Sequence, residues 1–465
     1  MLAQDATESP TPKKQPLVET TLRWAERPLA PWHKRGLVIL AAAAVLFGVI
    51  TEVRTALLEH RKGDLNVFLR AAWAIRSATD IYTVTDDNGF HYLYPPLFAI
   101  VLAPLADAPA GFDRTGMLPY AVSAGLCYAL NLVCLFVAVN WLANSLQRNG
   151  VLKQCLPGSR GWWALRVIPI LVCLSPIGHT LMRGQAGLLL LLLICGMIAA
   201  VLAGRRRQAG LWLAGAICLK IIPAFLLIYP LWRRDLRMLA GCAIGLILGL
   251  VAIPALVMGP ARAADCYREW TNVMLLPALD RGDDRSRAKE VIEMTATDSQ
   301  SILVVAHNTL YPERKTRPTK ADAETRLAAL AIGGALTLAT LLAGGWRRLS
   351  GVQEAAFLGM LVIDMLLMSP VCHLHYFCLS VPLVMVLIAL RWQQTDRMRW
   401  LPVLLVANVV ANTLPHFPGL EPVRDLGMAM YAALALWFAG AVVLMSVRFT
   451  QMVTKVSAEE APIAA

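Results

Sequence analysis

Residues 355–390 read AAFLGMLVIDMLLMSPVCHLHYFCLSVPLVMVLIAL. Two apolar runs, near 355–370 and 376–390, meet at a short polar joint that holds Ser369, Pro370, His373, His375 and Tyr376. Each run approaches the roughly 20 residues needed to cross the hydrocarbon of a bilayer. The same pattern recurs on both sides of this stretch. Further apolar runs lie near 117–142, 162–182, 185–203, 238–259, 327–346, 400–415 and 426–447, and a first span lies near Gly36 to Thr51. Two others are irregular. Residues 94–108 are short and rich in proline, and residues 209–231 carry Lys220 and Pro223 in their middle. Of the 465 residues, 57% are hydrophobic and 16% are charged, against about 25% charged in soluble domains. Mean hydropathy is +0.56. These values exclude a disordered chain, a disulfide-stapled secreted domain and an ordinary soluble enzyme. The expectation is an all-α polytopic membrane protein with ten to twelve spans.

The net charge of +12 reads as basic residues gathered in cytoplasmic loops, so no nucleic-acid partner is inferred. Basic runs at Arg205–Arg207, Arg233–Arg234, Arg347–Arg348, Arg391 with Arg397 and Arg399, and from Arg448 onward mark that side. Two of them flank residues 209–231, and a single crossing there would place one run outside. A helical hairpin broken at Pro223, with both ends on the cytoplasmic side, removes the conflict. The chain divides into a cytoplasmic tail (1–35), one transmembrane domain (36–450) and a second cytoplasmic tail (451–465). Two outer loops remain, about 54–93 and 260–325. The second carries ten basic and eleven acidic residues, which is too balanced for a cytoplasmic connector. Leu65, Phe68, Leu69, Ala72 and Trp73 form one apolar stripe at helical spacing, as in a helix lying in the membrane interface. Residues Ile302 to Tyr311 could do the same. The ten cysteines show no CxxC pair and read as small buried hydrophobes.

Several polar residues at span ends invite a chemical reading. Asp64 stands before the apolar stripe, either as a helix N-cap or as a general base at the lipid–water boundary. His91 and Tyr94 lie in a short aromatic stretch before Pro95-Pro96; an interfacial aromatic belt is the plainer account. Arg183-Gly184-Gln185 is a polar turn between two spans, or a phosphate contact from Arg183 with a ligand hydrogen bond from Gln185. Lys220 at membrane depth needs a partner. Either Asp364 pairs with it, or it binds a phosphate. His373-Leu374-His375 suggests a metal, but i and i+2 ligands on a helix point apart and no third ligand is evident. A histidine that hydrogen-bonds within a polar cavity fits better. No metal or cofactor is expected.

In order, these pieces resemble the glycosyltransferases of family 87, membrane enzymes of the GT-C type that use polyprenyl-phosphate sugars. The matching residues are Asp64, Ala72, Tyr82, Tyr92, Tyr94, Pro95, Pro96, Gly184, Gln185, Ala209, Gly210, Lys220, Pro223, Gln300, Ser301, Ser369, Pro370, His375 and Tyr376. Ser77-Ala78-Thr79, Ser299 and Tyr376 depart from the family's usual glycine, asparagine and histidine. The resemblance implies inverting transfer of a hexose, with mannose first in line, from a polyprenyl-phosphate sugar to a glycolipid or glycan at the outer face of a plasma (inner) membrane. It implies that Asp64 acts as general base. Arg183, Lys220 and His375 would face the leaving phosphate, and His91, Tyr94, Gln185, Gln300, Ser301 and Tyr376 would line the substrate site. The rival reading is a transporter or flippase for a lipid-linked or polar substrate.

Overall fold

The computed structural model describes residues 23–54, 63–149, 155–278, 281, 287, 290, 293, 298–346, 349, 351–393 and 397–459. Residues 1–22 of the expected tail, 55–62 of the first outer loop, most of 279–297 in the second, Arg347–Arg348 and 460–465 lie outside the described residues. Among the described residues the regular structure is helical, with two isolated β-bridges. The helices are α1 (Pro31–Val53), α2 (Asp64–Arg76), α3 (Pro96–Val101), α4 (Tyr120–Asn149), α5 (Arg160–Val172), α6 (Leu174–Arg183), α7 (Gly187–Leu202), α8 (Arg206–Leu219) and α9 (Ile228–Trp232). They continue as α10 (Leu236–Met258), α11 (Pro260–Trp270), α12 (Ile302–Leu310), α13 (Ala323–Gly344), α14 (Gly351–Met368), α15 (Leu374–Trp392), α16 (Leu401–His416) and α17 (Met428–Glu459).

Seven of these, α1, α4, α10, α13, α14, α15 and α17, are long and apolar enough to cross a membrane. The pair α5–α6 makes an eighth if its 63° bend is counted within one span. Pro176 accounts for the bend, since it cannot donate to the turn before it and its ring clashes there. The larger number read from the sequence included the shorter apolar helices α7 and α16 and the stretch Ile222–Trp232. The two runs of the opening stretch become α14 and α15, and 83% and 89% of their apolar windows are buried. They form the centre of the bundle. Helix α17 continues through residues 451–459, where a tail was expected.

Helix α2 forms where the apolar stripe predicted it, but it does not lie open on an interface. Every residue from Leu65 to Ile75 is buried. Residues 96–107 cover it from one side, with Asp107 N–H donating to Leu69 O at 3.2 Å. Arg262 of α11 crosses its far end, donating to Ala74 O and Thr79 O at 3.0 and 2.8 Å.

The broken hairpin at 206–232 is present, with the break at Lys220, three residues before Pro223. Lys220 is extended (φ −154°, ψ 129°) and ends α8, and the chain then turns back through a 3₁₀ turn into α9. The two ends meet. Arg206 donates to the Tyr229 hydroxyl at 3.1 Å, and that hydroxyl donates to Glu354 at 2.7 Å. Arg233 pairs with Glu354 at 3.0 Å, and the two side chains are 0% and 5% exposed. Trp232 and Arg233 also bond the carbonyl of Gly345 at the end of α13. The arginine-rich ends of several helices therefore collect at one end of the bundle, and the hairpin carries Lys220 away from it toward the interior. Close packing of α8 on α10 holds the hairpin in place. A Cβ on Gly241 would sit 2.1 Å from Arg207 O, and one on Gly210 2.1 Å from Met238 O. Only glycine permits that approach.

Removing Glu354 leaves the Arg233 guanidinium buried without its counter-charge, which typically costs about 3–5 kcal/mol. Glu354→Ala is expected to lower the thermal unfolding midpoint in detergent clearly; an unchanged midpoint would contradict this role.

Candidate active site

At the end of the bundle opposite the arginine-rich one, Asp64 opens α2. It is not the N-cap: that position is Gly63, and no side chain caps the helix. The Asp64 carboxylate instead accepts Arg183 Nε at 2.8 Å and Nη2 at 3.2 Å, a two-pronged contact, and also a hydrogen bond from Gln185 Nε2. Two glycines allow these segments to touch. Gly184 adopts φ +65°, and a Cβ there would lie 2.5 Å from the Leu65 Cβ. A Cβ on Gly63 would lie 3.2 Å from the Arg183 carbonyl. Left-handed backbone at Gly184 also ends α6, so that Arg183 and Gln185 reach the same carboxylate from either side of the turn.

Burial pushes the Asp64 carboxyl upward, but Arg183 and Gln185 outweigh it and hold it below the ordinary carboxylate range. The stabilisation from this depressed value is present above the unfolded pKa near 4 and is lost as pH falls through the folded one. The side chains of Asp64 and Arg183 remain 25% and 38% exposed, so the pair contributes little stability. What it supplies is an ionised, fixed and accessible oxygen.

Lys220 comes to this site from the hairpin tip. Its ammonium donates to the Tyr376 hydroxyl and lies over two rings, 3.9 Å from the Tyr376 centroid and 4.9 Å from that of Tyr94. The ion pair with Asp364 does not form. Asp364 accepts from Thr340 Oγ1 at 2.7 Å, and Trp437 donates to that hydroxyl at 2.8 Å. Desolvated ammonium groups gain from aromatic faces, which explains why two tyrosines suffice to hold Lys220. A cavity of about 10 Å³ bordered by Tyr94, Gln185, Lys220 and Tyr376 links this cage to Asp64's partner Gln185.

His375 is buried beside Tyr376, with ring centroids 4.4 Å apart, and neither ring nitrogen has a partner. His373 lies 5.5 Å from the His375 ring. Burial, helped by the Arg183 charge, pushes His373 down to about 4, so it is neutral at neutral pH. The sequence reading missed His179 and His416, whose rings lie 4.9 Å apart, with His179 5.9 Å from His375. His179 precedes Arg183 by four residues and so shares its helix face, a signal that was available.

Gln300 and Ser301 have a different place from the one expected. Gln300 N–H donates to Cys372 O at 2.6 Å, Cys372 N–H donates to Ser299 Oγ at 2.8 Å, and Ser301 Oγ donates to Pro370 O at 3.3 Å. Gln300 Nε2 donates to Arg424 O at 2.7 Å. These residues stitch the segment before α12 to residues 370–372 and so position His373, His375 and Tyr376. His91 is also a bridge between loops: its ring and backbone N–H meet the Glu290 carboxylate at 2.7 and 2.8 Å. All ten cysteines are free and buried.

The sequence matches the profile of glycosyltransferase family 87 over residues 92–370. The chain belongs to that family. It is 32% identical over 189 residues to a polyprenol-phosphate-mannose-dependent alpha-(1-2)-phosphatidylinositol mannoside mannosyltransferase of Mycolicibacterium smegmatis; the match covers 39% of this chain and 39% of that relative's length. Two crystal structures of ArnT from Cupriavidus metallidurans align with it. The undecaprenyl-phosphate complex gives 14% identity, a TM-score of 0.42 and coverage of 88% of this chain and 76% of that one. The apo form gives 13%, 0.32, 89% and 78%.

Gly184→Ala forces a Cβ onto Leu65 in a strained conformation. It is expected to part Asp64 from Arg183 and to cost about 1–3 kcal/mol, read as a lower unfolding midpoint. A midpoint equal to wild type would mean that the two turns do not depend on that contact.

Proposed function

We propose that this family 87 protein is a GT-C-type enzyme that moves a hexose, mannose first, from a polyprenyl-phosphate sugar to a glycolipid or glycan, with inversion at the anomeric carbon. The observation that carries this reading is the ionised, partly open Asp64 carboxylate set beside the Lys220 cage. One group can accept a proton, and the other can meet a phosphate. The family membership and the donor named for the mycolicibacterial relative support the donor class. Basic residues gather at the opposite end of the bundle, which supports an extracytoplasmic active site in a multi-pass plasma (inner) membrane protein.

The acceptor hydroxyl oxygen attacks the anomeric carbon from the face opposite the phosphate, and its proton passes to an Asp64 oxygen. The bond from the anomeric carbon to the phosphate oxygen breaks, and polyprenyl phosphate leaves with one more negative charge. Charge grows on that phosphate in the transition state, where fixed cations contribute most. Lys220 would leave Tyr376 for the phosphate oxygens, Arg183 would keep the Asp64 carboxylate in place, and His375 would donate one hydrogen bond. Tyr94 and Tyr376 hold Lys220 until the donor arrives, and Gln185 keeps the Asp64 carboxylate aimed. Gln300, Ser301 and His91 act through the loops they join.

Two outcomes check this. Purified wild-type protein, given a synthetic short-chain mannosyl-phosphoryl polyprenol and a lipid extract of its native membranes, should yield a product one hexose heavier by mass spectrometry. Asp64→Asn should fold with an unchanged unfolding midpoint yet transfer roughly 10²–10⁴-fold more slowly; near-normal transfer would remove Asp64 from the chemistry. The second outcome concerns pH. Activity needs Asp64 ionised and falls as pH drops through its depressed pKa. In Arg183→Met the main lowering influence is gone, so the acid limb of the rate profile should shift to higher pH. A limb that stays put would show that another group sets it.

A further inference from the structure

Two small cavities border the residues that hold Asp64. The one lined by Gln185 also takes in Lys220. The other, of about 20 Å³, lies between α1 and α4 and is bordered by Glu52, Gly63, Tyr128, Asn131 and Arg183. Arg183 is already committed to Asp64. What remains there are lone pairs without donors. Glu52 Oε1 is buried with no hydrogen-bond partner, and so is Asn131 Oδ1, while Asn131 Nδ2 donates to Cys127 O at 3.0 Å. Glu52 faces α4, since a Cβ on Gly125 would lie 3.9 Å from its Oε1. Buried acceptors left unpaired are costly and call for a donor. A carboxylate repels a phosphate and accepts from hydroxyl groups.

We propose that this cavity is the acceptor's half of the site: Glu52 and Asn131 take hydrogen bonds from the hydroxyl groups of a membrane-anchored glycolipid that enters between α1 and α4. The inference rests on the glycosyl-transfer reading and deepens it. The membrane route follows from position. Glu52 lies in the last turn of the spanning helix α1, and Asn131 lies in the fourth turn of α4. A water-soluble glycan would have to enter the bilayer to reach them. The cavity as it stands holds about one water, so a sugar ring requires α1 to move off α4. The packing allows this. Gly48 is the single buried residue of α1; it rests on the Tyr128 ring, whose hydroxyl donates to Ala44 O at 2.9 Å. The acceptor hydroxyl would then lie next to Asp64 while the phosphate leaves toward Lys220, so that attack and departure take opposite faces of the anomeric carbon, as inversion needs.

The test uses mannosyl-phosphoryl polyprenol as donor, with octyl α-mannoside and methyl α-mannoside as two acceptors alike in the sugar and different in the anchor. Wild type should show an apparent KM for the octyl glycoside at least about tenfold below that for the methyl one, in line with the tail's transfer free energy. Glu52→Gln and Asn131→Ala should each raise the octyl glycoside KM about tenfold, the worth of one hydrogen bond to a buried polar group. The donor KM should move by less than about twofold. Equal rises in both KM values, no rise in either variant, or equal use of both glycosides would overturn the assignment. Donor consumed by water alone, with neither glycoside extended, would also overturn it while leaving donor chemistry intact. A wild type that leaves the donor untouched in every mixture would sink the transfer reading itself.

Discussion

The contact of Arg183 with Asp64 is the constraint on which the rest of the site depends. It joins the start of α2, after the first span, to the turn between α6 and α7, and two glycines exist at the contact because a side chain would keep the segments apart. As a partly exposed ion pair it adds little to stability. Its effect is positional and electrostatic: the carboxylate stays charged and is held in one place at its end of the bundle. Gln185, from the same turn, fixes the second degree of freedom. The neighbouring loops then serve this point, with Ser299 to Ser301 stitched to residues 370–372 and His91 tied to Glu290.

Lys220 presents the complementary problem. An ammonium inside a membrane bundle is costly and persists only where it has partners or a polar cavity. The chain solves this by not crossing at residues 206–232. The hairpin returns to the arginine-rich end, where Glu354 neutralises Arg233, and its tip delivers Lys220 to two tyrosine rings. Burial of Arg233 and Glu354 at one end thus sets the height of Lys220 at the other. The same hairpin explains the glycine pair of α8 and α10, because a re-entrant element without its own full span must pack closely on a neighbour.

Much of this was legible in the residues. Apolar runs separated by charged turns specify spans, and the conflict of basic runs around 209–231 pointed to a hairpin. Asp64, Arg183, Gln185, Lys220 and Tyr376, far apart in the chain, do converge. Three features were not legible, for identifiable reasons. Pairing across the bundle cannot be read from periodicity, so the sequence offered Asp364 or a phosphate for Lys220 and gave no sign of Tyr376. The stripe on α2 suggested one apolar face, yet loops that carry no periodic signal cover the other face. Gln300 and Ser301 look like ligand-binding residues by type, whereas their bonds run to backbone carbonyls that only the folded chain brings near.

The account's central claim is that Asp64 and Lys220 face one donor molecule, the carboxylate at the sugar and the ammonium at the phosphate. The most direct measurement is an experimental structure with a non-hydrolysable mannosyl-phosphonate polyprenol. The account predicts the phosphonate within hydrogen-bond reach of Lys220 Nζ, displacing Tyr376 from it, and the anomeric carbon on the Asp64 side. A phosphonate seated at the arginine-rich end, or one that leaves Lys220 on Tyr376, would contradict it.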